Sequence, residues 1–186
     1  RSQGKPSASD IANYLTCEDR TSKVKGKLTA VFRITSHTRR KVSFFKKITD
    51  VLNPQVYDID KLLEIIRDDT YYHLKPKIEA VRKAKSKEEK AKKKALLPAI
   101  TWNGVFKSKN KNECVLYSSF TALDFDHIEP ENMKTFAGWL QGFPCVYAYF
   151  VTPSGTGFKA IILHDNYESL YHYDLYNQLL KLFACP

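Results

Sequence analysis

The chain has 186 residues, 43% hydrophobic and 13% aromatic, with a formal net charge of +10. That length and apolar share suit one compact domain, or a core with a small accessory piece, and exclude wholesale disorder. The basic balance favours a polyanionic partner, because lysine and arginine displace counterions condensed on phosphates, and no apolar run is long enough to cross a membrane.

The opening RSQGKPSAS reads as a flexible leader or an expression remnant, with residues 1–26 as a leader in all. Leu28 to Ile34 and Lys41 to Ile48 alternate and carry β-branched and aromatic residues, which predicts two strands joined through SHTRR. Asp58 then stands before Ile59, Leu62, Leu63 and Ile66, the spacing of an amphipathic helix behind a good N-cap. The stretch EAVRKAKSKEEKAKKKALLP is rich in Ala, Lys and Glu and has no Gly, predicting a basic helix over residues 77–96. It is either a solvated helix or an arm that contacts phosphates through Arg82, Lys83, Lys92, Lys93 and Lys94. Residues 27–96 are thus expected to form an N-terminal strand/helix subdomain.

From residue 97 the pattern is more regular. Val115 to Asp126 reads as one strand; Met133, Phe136, Ala137 and Leu140 share a helical face that Gly142 ends. Cys145 to Val151 and Phe158 to Leu163 read as strands around the turn TPSGTG, and Leu175, Leu179, Leu182 and Phe183 mark a helix starting near Glu168. The order β-α-β-β-α predicts an α+β fold: an RNA-recognition-motif or ferredoxin-like core over 97–186 with an N-terminal α/β extension. One more strand would complete β-α-β-β-α-β, so the core is expected to be incomplete at its C-terminal end. Cys17, Cys114, Cys145 and Cys185 show no CxxC spacing, which argues against structural zinc and for reduced thiols in a cytoplasmic protein.

Two motifs carry chemistry. In ALDFDHI, Asp124 and Asp126 close an apolar strand. Strand residues two apart project to one face, their Cα atoms roughly 6.5–7 Å apart. Such a pair can share divalent ions about 3.5–4 Å apart, and oxygen donors suit Mg²⁺ or Mn²⁺. The same pair also fits a plain strand end entering a turn, where Asp is common. In PSGTGFK, Gly155 and Gly157 let backbone approach a ligand, and Ser154, Thr156 and Lys159 add a hydroxyl, loop backbone and a cation suited to a triphosphate. It is not a Walker A loop, since GK[ST] is absent, and an ordinary glycine hairpin reads the same way. In the predicted sheet both motifs would face one substrate, and a nucleotide–metal complex fits that combination. His127, His164, and Trp102 with Phe106 as a base-stacking platform are weaker candidates.

On TALDFD and SGTGFK the sequence resembles the primase–polymerases of the archaeo-eukaryotic primase superfamily, and in particular the VirE N-terminal-like branch of bacterial mobile-element replication proteins. The likeness runs from VSFFKKITD through LPAITWNGVF to SGTGFKAIIL, about Val42 to Leu163. It implies a metal-dependent nucleotidyl transferase that makes or extends primers. Asp124 and Asp126 would hold two Mg²⁺ or Mn²⁺ ions, and Ser154, Gly155, Thr156, Gly157 and Lys159 an NTP or dNTP. The template is a single-stranded or primed DNA or RNA, and a fused or separate helicase is an expected partner. Lys159 stands where the wider superfamily has His, and a third metal carboxylate is expected beyond Pro186 rather than at Asp165. The alternative is a non-catalytic module of the same fold that binds single-stranded nucleic acid and works with a helicase. A relaxase-type nuclease is set aside because no His-x-His occurs.

Overall fold

The structure, a computed structural model, describes residues 40–69 and 72–184. The expected leader, the Leu28–Ile34 strand, Cys17 and Cys185 lie outside the described residues. The described part is mixed α+β, with five α-helices and three small antiparallel sheets. None of these helices is long and apolar enough to cross a membrane.

The first sheet has the order β2-β1-β3, from β1 (Lys41–Phe45), β2 (Gln55–Asp58) and β3 (Ala99–Thr101). β1 ends at Phe45 rather than running on to Ile48. Lys46 and Lys47 turn outward, and the Asp50 carboxylate accepts the Lys47 N–H at 3.0 Å, closing a turn where the strand was expected to continue. Helix α1 (Ile59–Asp68) begins as its sequence predicts, with the Asp58 carboxylate accepting the Asp60 N–H at 3.0 Å. It buries Ile59, Leu62 and Ile65.

The basic stretch is two helices, not the single one expected over 77–96. Helix α2 (Leu74–Arg82) and helix α3 (Lys87–Lys94) are separated by a break at Ser86. The cause is local competition for backbone donors. The Ser86 hydroxyl accepts the Glu89 N–H at 3.1 Å, while the Glu89 carboxylate reaches back to the Lys85 N–H at 3.0 Å. Ser-x-x-Glu is a helix-start signal strong enough to interrupt a run of good helix formers.

The expected strand over Val115 to Asp126 is likewise two. A small sheet pairs β4 (Gly104–Phe106) with β5 (Cys114–Tyr117), and a separate strand β6 (Phe120–Phe125) follows. Between them Ser118 is fully buried; its hydroxyl donates to the Trp102 carbonyl at 2.6 Å and accepts the Phe120 N–H at 3.2 Å. A side chain so bonded substitutes for ladder partners, so the chain changes sheets there without stranding backbone groups.

Helix α4 (Met133–Gln141), β7 (Val146–Val151), β8 (Phe158–Leu163) and helix α5 (His172–Leu182) complete the β-α-β-β-α core. Its sheet has the order β6-β8-β7, with the last strand central and antiparallel to both neighbours. Leu123, Phe158, Ala160 and Ile162 face α4 and α5, meeting Leu140, Leu175, Leu179 and Phe183. Phe120 and Ile161 face the other way, packing with Ile59 and Trp102. Each fully buried Leu or Ile contributes on the order of 1.5–3 kcal/mol, so both layers hold the sheet. On that second side Arg40 ties the layers. It donates to Asp60 at 2.6 Å and to the Tyr147 hydroxyl, Tyr147 donates in turn to Asp60, and the guanidinium lies over the Tyr147 ring.

Candidate functional site

β6 is apolar until its core role ends, and its last pairs decide the site. Asp124 lies directly opposite Lys159, and Phe125 opposite Phe158. Because Leu123, Ala160 and Ile162 must face the helices, Asp124 and Lys159 project to the opposite side. There the ammonium of Lys159 sits 2.6 and 2.8 Å from the two carboxylate oxygens of Asp124. The Asp124 side chain is 51% exposed, so this ion pair stands at a surface.

Beyond Phe125 the ladder stops. Asp126 is exposed, and His127 adopts a left-handed backbone with φ of 61° that swings the chain across the neighbouring turn. The Ile128 N–H then donates to the Thr156 carbonyl at 3.0 Å. Gly157 is what lets the two segments meet. A Cβ there would fall 2.2 Å from the Phe125 carbonyl oxygen and 3.1 Å from the Asp126 Cα. Within the turn the Thr152 N–H donates to the Gly157 carbonyl and the Gly155 N–H to the Thr152 carbonyl, both at 2.9 Å. The Thr152 and Ser154 hydroxyls lie 3.0 Å apart, and Gly155 takes φ of 80°. The carboxylate strand and the glycine turn are therefore one continuous piece of surface.

A second cation reaches this turn. The Arg82 side chain, at the end of α2, places Nε 3.3 Å from where a Cβ on Gly155 would stand. The other basic candidates do not share this position. Lys83, the C-cap of α2, pairs with Glu79 at 3.7 Å and Lys93 with Glu89 at 2.5 Å within α3, to which Lys92 and Lys94 also belong.

The weaker candidates resolve differently. Trp102 and Phe106 are 6% and 7% exposed, so they are core and offer no stacking platform. His127 serves the backbone reversal. Asp165 lies six residues past Lys159 on the far side of β8, roughly 20 Å away at strand spacing, and cannot join Asp124. His164 is buried beside the Tyr117 ring, where its imidazole is largely cut off from water. Burial pushes its pKa down to about 4. Close by, Tyr117 and His172 Nδ1 lie 2.8 Å apart; burial lowers the His172 pKa and raises that of Tyr117. Cys114 and Cys145 are free thiols, and burial raises both of their pKa values.

Sequence reasoning missed the Asp124–Lys159 ion pair, the Arg82 contact and the Arg40–Asp60–Tyr147 cluster. The first was legible in principle, since counting back from the turn pairs the two residues. The other two join segments more than 70 residues apart and leave no local signal.

Two exposed carboxylates at a strand end are hard oxygen donors, the chemistry Mg²⁺ and Mn²⁺ select, and Asp124 already holds a cation, the Lys159 ammonium. Among the described residues no group of three or more His, Cys, Asp or Glu side chains is assembled to hold a metal ion. Asp124 and Asp126 are the two carboxylates that this strand end offers, and Asp124 is the one engaged by Lys159.

Fold and site together define an α+β domain whose helix-backed antiparallel sheet presents a carboxylate pair against a cationic glycine turn. Residues 91–181 match the family model described as BT4734-like, N-terminal domain, a bacterial family. The match takes in both motifs, while Arg82 lies before it. No curated protein and no solved structure matches the chain at a significant level.

Proposed function

We propose that the chain is the nucleotide-binding, catalytic part of a primase–polymerase, joining nucleotides on a DNA or RNA template by metal-dependent nucleotidyl transfer. The observation that carries this reading is the join between the motifs: Asp124 opposite Lys159, with Gly157 pressed onto the Phe125–Asp126 peptide. A carboxylate pair and an anion-seeking turn then meet one ligand, and a metal-bound nucleoside triphosphate has both of the charges they need.

In this reading Asp124 and Asp126 hold Mg²⁺ or Mn²⁺. When bound, such ions activate the attacking hydroxyl and steady the leaving pyrophosphate. The Ser154 hydroxyl and the Lys159 ammonium orient the triphosphate. The primer 3′ oxygen forms a bond to the α-phosphorus as the bond to the bridging oxygen breaks, and the hydroxyl proton leaves to solvent. The residues contribute positioning and charge neutralisation. The biological setting that goes with this reading is cytoplasmic replication of a mobile element, alongside a fused or separate helicase.

The test is extension of a labelled primer–template with NTPs or dNTPs and Mg²⁺ or Mn²⁺. Synthesis that falls below detection in the Asp124→Ala, Asp126→Ala double variant supports the enzyme. A second reading, a non-catalytic module that binds single strands, draws on the pairing of Asp124 with Lys159 and the two-carboxylate donor set. Single-strand binding that survives the double substitution, with no synthesis by the unmodified protein, would select it.

A further inference from the structure

We propose that Arg82 is a polyphosphate-binding residue of the Ser154–Gly157 turn, a clamp delivered by helix α2, rather than part of a template-binding basic arm. This rests on the nucleotide-binding reading of that turn.

Three observations carry it. The first is contact: Nε lies 3.3 Å, and Cδ and Cζ 3.8 Å, from the position a Cβ on Gly155 would take. The φ of 80° favours glycine there, and its missing Cβ is what leaves the guanidinium room against the turn. The second is pairing. Among the described residues Arg82 makes no ion pair, whereas Lys83 beside it is held by Glu79. The Arg82 guanidinium, exposed and against the turn, is thus open to an anion. The third is anchoring. Val81 is fully buried and the Lys83 N–H closes α2 on the Glu79 carbonyl at 2.9 Å, so the backbone that carries Arg82 is fixed. Lys159 stands two residues past Gly157 on the same hairpin but is engaged by Asp124. The turn is therefore bracketed by two cations, one paired and one open.

A planar guanidinium suits the outer phosphates of a nucleotide, where its fork matches paired oxygens. Those phosphates are the part of the ligand a monophosphate lacks. The discriminating measurement is therefore affinity against phosphate number. Nucleoside tri- and monophosphate, each with Mg²⁺, would be titrated calorimetrically into the unmodified protein, Arg82→Ala and Arg82→Lys, with a single-stranded oligonucleotide titrated in parallel. We expect Arg82→Ala to weaken the triphosphate roughly tenfold or more, the size of a lost charge-assisted hydrogen bond. Monophosphate and oligonucleotide affinities should hold, and Arg82→Lys should recover part of the loss.

Because Arg82 is exposed, its thermal unfolding profile should match that of the unmodified protein. Equal triphosphate affinity in Arg82→Ala overturns the assignment while leaving the turn's role intact. A loss confined to the oligonucleotide, with its salt slope falling by about one, returns Arg82 to the template arm. An unmodified protein that binds no triphosphate overturns the reading of the turn, and this inference with it.

Discussion

On the proposed function Lys159 and a divalent ion would compete for Asp124, and that competition has a measurable sign. The ammonium lies 2.6 Å from one carboxylate oxygen and 2.8 Å from the other, charge-assisted hydrogen-bond distances that occupy both donors. An ion bound to the same oxygens would stand within about 4 Å of it. At that separation unit charges repel by about 1 kcal/mol in water and about 4 kcal/mol at an effective dielectric of 20, and a divalent ion doubles either figure. Sharing the carboxylate is therefore disfavoured, and a bound metal would push Lys159 aside. Expulsion breaks an ion pair whose carboxylate is half exposed, which costs about 0.2–1 kcal/mol. Lys159→Ala removes that cost and any residual repulsion. It should tighten Mn²⁺ binding by up to about fivefold in the absence of nucleotide, since 1.4 kcal/mol equals tenfold. With Mn²⁺ saturating, the same variant should bind triphosphate more weakly, because the displaced ammonium is the group that would meet phosphate. Free Mn²⁺ followed by electron paramagnetic resonance gives the first number and calorimetry the second. Mn²⁺ affinity in Lys159→Ala equal to or weaker than that of the unmodified protein refutes the competition.

Gly157→Ala should destabilise the fold by about 3 kcal/mol in urea denaturation, because the added methyl meets the Phe125 carbonyl and neither backbone can move without breaking the β6–β8 register. Burial alone would raise the Asp60 pKa, but hydrogen bonds from Tyr147 and Arg40 outweigh it and hold the carboxyl below its usual range. Its stabilisation is present above the unfolded-state value near 4 and lost as pH falls through the folded one. Asp60→Asn should therefore cost about 0.5–1 kcal/mol at neutral pH, with the gap closing in denaturation curves taken toward pH 2. For His164, folded below its ordinary pKa, the sign is that of a buried neutral base. No penalty exists above about pH 6.5, and as pH falls toward 4 the unfolded chain takes up a proton that the folded one refuses. The folding equilibrium should lose up to about tenfold per pH unit across that window. His164→Phe should flatten the curve in part, since His172 is lowered in the same sense.

What could be read from the sequence divides along physical lines. Helix α1 and its cap, the hairpin around TPSGTG and the β-α-β-β-α order were legible because each is written in a few adjacent residues. The two breaks were not read, although both had local signals. Ser86 with Glu89 spells a helix start inside a lysine-rich run, and Ser118 sits in an apolar stretch where a buried hydroxyl must find partners. Propensity outweighed capping in one reading and apolar continuity outweighed it in the other. The candidate site was legible as two motifs but not as an ion pair, because pairing depends on register. Arg82 was noticed for its charge, and only tertiary structure distinguishes it from Lys83, its neighbour in the chain.

Register also explains why this sheet tolerates an exposed charge pair at the end of its β6–β8 ladder. β8 is the central strand, with Ala160, Ile161 and Ile162 fully buried, so it is committed on both faces. Slipping β6 by one residue would drive Asp124 into the helix layer, where Leu123 now packs, and expose that leucine. The cost of burying an unpaired carboxylate far exceeds anything the surface ion pair contributes. The position of Asp124 and Lys159 is thus fixed by the apolar residues around them and not by their mutual attraction. A site held in this way keeps its geometry when Lys159 lets go, and that is the property an exchange of ammonium for metal requires.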